Sequence, residues 1–160
     1  MSALPVSGVL LANRLFAQKP VEKPPPIELD LVKEFVKVAH SDLPKVKELL
    51  TTHPLLLNSA WDWGGGDFET ALGAAGHMGL KETANYLLDH GARADIFVLT
   101  MLGKTEIVKA IVKNFPSLLH SAGPHGLTLL HHAEKGGKDG EELSAFFRSQ
   151  GLTEKFKKLF

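Results

Sequence analysis

The chain of 160 residues contains no cysteine and one tyrosine, and its eighteen Lys plus Arg are balanced by eighteen Asp plus Glu. Each scarcity excludes something. Without cysteine there are no disulfides, no thiolate nucleophile, no Fe–S cluster and no Cys-based zinc site, and the redox compartment stays open. Without net charge there is no global positive field to hold nucleic acid or an anionic membrane surface. No apolar run reaches the ~20 residues that a membrane-spanning helix needs. What remains, 44% hydrophobic and 22% charged residues, is the balance of one soluble globular domain. The eight histidines are the main candidates for metal or proton chemistry.

The start of the chain differs from the rest. Residues 3–12 (ALPVSGVLLA) are small and apolar, and are followed by NRLFAQ and the Pro-rich KPVEKPPPIE. That order is signal-peptide-like, with Ala17 at the cleaved bond. The basic residue expected before the apolar run is missing, and Arg14 falls inside the cleavage region. The competing reading of residues 1–17 is a disordered tail. Residues 18–27 form a Pro-rich linker, with Pro24, Pro25 and Pro26 as an extended spacer. The chain is periplasmic or secreted if the first segment is a signal peptide, and cytoplasmic otherwise.

From Ile27 the apolar pattern is helical and comes in short paired bursts. Val32, Phe35, Val36 and Ala39 make one face, and Val46, Leu49 and Leu50 make the next after the turn at Ser41, Asp42 and Pro44. Ala71, Leu72, Ala74 and Ala75 pair with Ala84, Leu87 and Leu88. Ile96, Phe97, Leu99 and Leu102 pair with Ile107, Val108, Ile111 and Val112. Leu129, Leu130 and Ala133 pair with Leu143, Phe146 and Phe147. No such helix can bury its stripe except against a neighbour, so stacking is predicted.

The segments also resemble one another. Pro54-Leu55-Leu56-Leu57-Asn58-Ser59-Ala60 returns sixty-two residues later as Pro116-Ser117-Leu118-Leu119-His120-Ser121-Ala122, and half of that spacing is close to one repeat of about 33 residues. Thr70-Ala71-Leu72-Gly73-Ala74-Ala75-Gly76-His77-Met78-Gly79, followed by Tyr86-Leu87-Leu88-Asp89-His90-Gly91-Ala92, is similar to the T-P-L-H-x-A-A-x-x-G and L-L-x-x-G-A pattern of the ankyrin-repeat family. Gly126-Leu127-Thr128-Leu129-Leu130-His131-His132-Ala133 resembles the same pattern, with only its Pro replaced. The resemblance implies an all-α, ankyrin-repeat solenoid of stacked helix-turn-helix pairs with short connecting loops, in repeats of about 28–58, 59–92, 93–118 and 119–152. Thr70 opens a helix in the motif, Thr128 is expected to cap one through its hydroxyl, and His131 to hold a turn. Gly79, Gly91 and Gly103 supply left-handed helix ends. The first repeat lacks the Thr-containing start and the third is short. The fourth carries extra residues at Lys138-Asp139-Gly140. Residues 153–160, with Phe156, Leu159 and Phe160 at helical spacing, read as an amphipathic capping turn.

Chemistry is sparse. His125, His131 and His132 beside Glu134 suggest zinc, but His131 and His132 are adjacent and point about 100° apart on a helix, so turn stabilisation is the default and no metal is expected. His40, His53, His77, His90 and His120 fall in or beside turns and read as solvated polar residues. Gly64-Gly65-Gly66 and Gly136-Gly137-Lys138-Asp139-Gly140 lack phosphate-loop spacing, and Glu141-Glu142 reads as the start of the last helix. There is no nucleophile elbow, no H-E-x-x-H and no carboxylate pair across a cleft. No enzyme activity and no cofactor are expected.

The conspicuous segment is Trp61-Asp62-Trp63-Gly64-Gly65-Gly66-Asp67-Phe68, which holds both tryptophans where the ankyrin family has a projecting hairpin. Tryptophan concentrates binding energy at interfaces. The expected recognition surface is therefore Trp61, Asp62, Trp63, Asp67 and Phe68 with His77, Phe97 and His125. The expected function is a monomeric, non-enzymatic protein-protein interaction module binding a protein or peptide, with neither nucleic acid nor membrane as partner. Two alternatives stand beside it: an exported periplasmic accessory protein that inhibits or protects an enzyme, and a metal or small-ligand protein built on His125, His131 and His132.

Overall fold

The computed structural model describes residues 23–159. The signal-like segment 1–17, the beginning of the linker at 18–22 and Phe160 lie outside the described residues. The described chain is mostly helical, with eight α-helices: α1 (Leu29–Val38), α2 (Leu43–Thr52), α3 (Ala71–Met78), α4 (Lys81–Asp89), α5 (Ile96–Met101), α6 (Thr105–Asn114), α7 (Leu129–Lys135) and α8 (Glu141–Ser149). The all-α expectation needs one correction. Strands β1 (Ala60–Asp62) and β2 (Phe68–Thr70) pair antiparallel, with Trp61 opposite Glu69. The Asp62 carboxylate makes the turn possible by accepting from the N–H groups of Gly64 and Gly66 at 2.8 and 3.1 Å. Three glycines at positive φ then carry the chain around it.

The helices pack as consecutive pairs, α1 with α2, α3 with α4, α5 with α6 and α7 with α8. The first members also meet one another in the order α1, α3, α5, α7. Local chemistry starts and stops them. Asp42, Thr70 and Asp95 each accept an N–H from the first turn of α2, α3 and α5. Gly79, Gly91 and Gly103 follow the ends of α3, α4 and α5 at φ of 79°, 90° and 65°.

Small residues allow the close approach along the row. Ala71, Ala74 and Ala75 are fully buried, and a Cβ added at Gly76 would stand 2.9 Å from Cγ2 of Val98 on α5. Around them Phe35, Val46, Leu56, Leu72, Leu87 and Met101 form one apolar cluster. Val108, Leu129, Leu130, Leu143 and Phe147 form a second. None of the helices among the described residues is long and apolar enough to cross a membrane.

Four local expectations are corrected here. In α5 the buried residues are Val98, Thr100 and Met101, whereas Ile96, Phe97, Leu99 and Leu102 are only half-buried. The helix is only six residues long, too short for its sequence pattern to define one continuous apolar stripe, and it starts at the Asp95 cap. Ile107 on α6 points outward and is 52% exposed. The Thr128 hydroxyl does not cap α7 but donates to the carbonyl of Glu154 at 2.6 Å. Residues 153–159 are not a helical turn. They run extended, with Thr128 N–H donating to Lys155 O at 3.0 Å and Lys157 N–H to Gly126 O at 2.8 Å, so the tail is held by backbone pairing to the segment just before α7.

Candidate functional site

Four chain segments distant in sequence bring His40, Glu69, His77 and His125 together. His40 follows the C-terminus of α1, and Glu69 is the middle residue of β2. His77 sits in the last turn of α3, and His125 is in the loop before α7. Side chains alternate across a strand, so the middle residues of β1 and β2, Trp61 and Glu69, face the helices while Asp62 and Phe68 face outward. That alternation drives a carboxylate into the interior. Glu69 is 1% exposed.

The carboxylate is surrounded by nitrogen. Trp63 Nε1–H donates to Glu69 Oε2 at 2.7 Å. His40 Nε2 and His125 Nε2 each lie 3.4 Å from the same oxygen, and His77 Nε2 lies 2.9 Å from Oε1. The His77 contact is close but badly aligned, so His77 Nε2 and Glu69 Oε1 are both buried without a hydrogen-bond partner. The outer ring nitrogens are anchored away from the centre. His40 Nδ1–H donates to the carbonyls of Val36 and Lys37, both at 3.1 Å. His125 Nδ1–H donates to Asp67 Oδ2 at 2.8 Å, while Asp67 Oδ1 accepts the His125 backbone N–H at 2.8 Å. His131 Nε2–H holds the carbonyl of His77 at 2.9 Å. His125 has φ of 58°, a left-handed conformation uncommon for a residue with a side chain, and the double grip of Asp67 stabilises it there.

Electrostatics follow the contacts. Burial pushes the Glu69 carboxyl up, but the Trp63 N–H and the His40 and His77 nitrogens set against it outweigh burial and hold its pKa at about 2. The nearness of Glu69 raises His40 above its ordinary 6.5 against the opposing effect of burial. His132 is driven by burial down to about 4, and its Nδ1 is bonded to Thr128 O at 2.8 Å.

The two shifts around Glu69 have opposite consequences for stability. A depressed carboxylate contributes stability that is full above its ordinary 4.5 and is lost as pH falls toward about 2. A raised imidazole contributes stability that is full below 6.5 and is lost as pH rises through its elevated value. The Glu69–His40 pair is therefore expected to add most stability between pH 4.5 and 6.5, while buried His132, whose depressed pKa means stability lost as pH falls from 6.5 toward about 4, tilts the optimum of the whole protein toward pH 6.5. Thermal melts in chelator across pH 3 to 9 check this, with Glu69→Gln expected to flatten both flanks; a profile unchanged by Glu69→Gln would contradict it.

Of the residues expected to form a recognition surface, the structure collects Trp63, Asp67, His77 and His125 around Glu69. Trp61 is half-buried against α1, with Lys33 Nζ 5.2 Å from its ring centroid. Asp62 is occupied in the turn, Phe68 is 62% exposed, and Phe97 lies against His132 with ring centroids 5.1 Å apart. The aromatic loop is thus a hairpin braced by its own hydrogen bonds. His40 and His77 are corrected from solvated turn residues to members of the cluster, whereas His53, His90 and His120 are exposed. His131 bonds a carbonyl 54 positions away rather than its own turn. Neither His131 nor His132 joins His125 in a common donor set. Among the described residues, the one group of three or more His, Asp or Glu side chains with converging ligand atoms is His40, Glu69, His77 and His125.

Sequence reasoning missed Glu69 and the role of His40. Glu69 belongs to no motif, and its signal is its place in the strand-like Phe68-Glu69-Thr70 opposite Trp61. Nothing local in the sequence marks His40. Comparison of the chain with protein-family models, with curated proteins and with solved structures finds no match.

Proposed function

We propose that the protein is a non-enzymatic interaction module, an ankyrin-like stack of four helix pairs that binds a partner protein or extended peptide beside the β1–β2 hairpin. The observation carrying this reading is a groove of about 330 Å³ between the hairpin, α3, α5 and the loop at residues 122–124. Phe68 and Leu159 stand on its rim at 62% and 43% exposure, and Phe97 lines it. Exposed aromatic and aliphatic side chains around a concave, rigid wall are the ordinary make-up of an interface centre. The repeat resemblance and the row α1, α3, α5, α7 support the stacked reading. The hairpin is held by its own hydrogen bonds, so its rim is pre-organised and little ordering entropy opposes binding.

Phe68 tests the reading better than either tryptophan, because Trp61 packs on α1 and Trp63 bonds Glu69. In a pull-down with residues 18–160 as bait, Phe68→Ser is expected to reduce capture of the partner at least about tenfold, the loss of a modest hot spot. Ile107→Ser, on the distant outer face of α6, is expected to leave it unchanged. Equal capture by wild type and both variants would move the surface away from the hairpin, and capture lost only with Ile107→Ser would place it on α6.

A further inference from the structure

From their convergence on a single point, we infer that His40, Glu69, His77 and His125 form a binding site for one divalent transition-metal ion, with zinc as the best-fitting ion. The donor set is three imidazole nitrogens and one carboxylate oxygen, all within 4.8 Å of one another. Zinc takes such N and O ligands in tetrahedral geometry at about 2.0–2.1 Å, which places neighbouring ligand atoms about 3.3–3.4 Å apart. His40 Nε2 and His125 Nε2 already lie 3.4 Å from Glu69 Oε2.

Hydrogen bonding favours an ion at the centre. The Nδ1 atoms of His40 and His125 face acceptors, two carbonyls and a carboxylate, so each Nδ1 carries the proton. In the neutral ring the Nε2 atom then presents a lone pair, and that lone pair faces the lone pairs of Glu69. Acceptor against acceptor repels unless an imidazole takes a second proton or a cation accepts both. His77 Nε2 and Glu69 Oε1, buried, 2.9 Å apart and without hydrogen-bond partners, are the independent sign that the interior lacks a group. A cation between them satisfies both.

The outer contacts are those that metal sites use. Histidine ligands hold their far nitrogen on a carbonyl or carboxylate, which fixes the ring and raises its basicity. Here Val36 and Lys37 do so for His40, and Asp67 does so for His125. His131 positions the backbone of His77 through its carbonyl, and Trp63 orients Glu69. The charges of Glu69 and Asp67 together balance a dication. With four protein ligands the centre is closed, as in structural rather than hydrolytic zinc sites. It ties α1, β2, α3 and the loop before α7 together, and so fixes the hairpin that borders the groove. The inference does not depend on the partner reading, since it requires no partner to test.

The experiment is zinc titration of the untagged, metal-stripped chain by calorimetry, with stoichiometry read by elemental analysis. One zinc per chain with a Kd below about 10 μM is expected. Loading at a hundredfold excess over Kd is expected to raise the melting temperature by about 5–10 °C. His40→Gln and His125→Gln, at half-buried positions where folding is expected to survive, are expected to weaken binding more than about 100-fold. Asp67→Asn is expected to weaken it about 10- to 100-fold, through the lost charge and the looser hold on the His125 ring. His90→Gln, exposed and outside the cluster, is expected to change nothing. Absent or weaker binding, a ratio other than one, or binding that survives both cluster substitutions would overturn the inference. Cobalt substitution of the wild type gives a second readout independent of any variant: intense visible bands of four-coordinate cobalt support the site, and the weak bands of the six-coordinate ion overturn it.

Discussion

Glu69→Ala is expected to lower the unfolding free energy of the metal-free protein by about 3–5 kcal/mol, the range for removing one partner from a buried ion-pair network. Trp63 Nε1–H is left without its acceptor at 2.7 Å, and His40, whose pKa the carboxylate raises, loses the charge beside it. The substitution also removes the inward side chain of β2 and opens a void beside α3. Because a domain of this size is stable by only about 5–15 kcal/mol, the variant approaches the limit of folding. Glu69→Gln separates charge from shape. Its amide oxygen still accepts from Trp63, but its NH₂ group cannot offset an imidazolium, so a loss of about 1–3 kcal/mol is expected. Urea unfolding followed by circular dichroism at pH 6 in chelator measures both. A Glu69→Ala loss below about 1 kcal/mol would mean that the carboxylate costs as much to bury as its contacts return.

The second large effect is expected at Gly126, which links the cluster to the tail. Its φ is +72°, and a Cβ there would stand 2.0 Å from the carbonyl oxygen of Lys157. That oxygen is backbone, held where the Lys157 N–H donates to Gly126 O and the Lys157 ammonium reaches His120 O. No rotamer change relieves the contact. Gly126→Ala is expected to lose about 2–4 kcal/mol, combining left-handed strain with displacement of the tail. Gly91→Ala isolates the first component, since Gly91 has φ of +90° and nothing within 4 Å of the added carbon. A loss of about 1–2 kcal/mol is expected there. Chemical denaturation of the two variants side by side decides the matter; equal losses would show that the tail yields without cost. Displacing the tail also loosens the loop carrying His125, so Gly126→Ala is expected to quench the cluster's pH dependence more than Gly91→Ala does.

Much of the fold is legible locally. The faces of α1, α2 and α4 can be read from Val32, Phe35, Val46, Leu50 and Leu87, because each of these helices has one stripe with one place to bury it, whereas the small residues of α3 mark a helix buried nearly all round. Thr70, Gly79, Gly91 and Gly103 mark boundaries because capping and left-handed closure depend on the residue itself. Legibility fails where a partner is remote. The Thr128 hydroxyl has a cap within reach in the sequence but finds Glu154 O in space. Phe156 and Leu159 have helical spacing, yet the exposed edge at Leu127 and Thr128 offers backbone bonds that an isolated amphipathic turn cannot match.

The candidate site follows the same division. The Trp61–Phe68 segment stands out in the sequence by composition, and the hairpin resemblance places it at the edge of the helices. Its chemistry does not stand out. His40, Glu69, His77 and His125 are spread over 85 positions, and each alone is an ordinary turn, strand or helix residue. Convergence on one point needs the turn after α1, the inward register of β2, the last turn of α3 and the left-handed backbone at His125 all at once.

The sequence by itself determined the helical periodicity, the pairing of short helices, the turn and cap positions and the absence of thiol chemistry, since these depend on residue type and spacing along a few turns of chain. Only the tertiary structure decided which histidines are buried, that a glutamate lies among three of them, and that the tail runs extended. Those outcomes depend on distances between segments that no local propensity encodes, and on the desolvation that packing imposes after the segments meet.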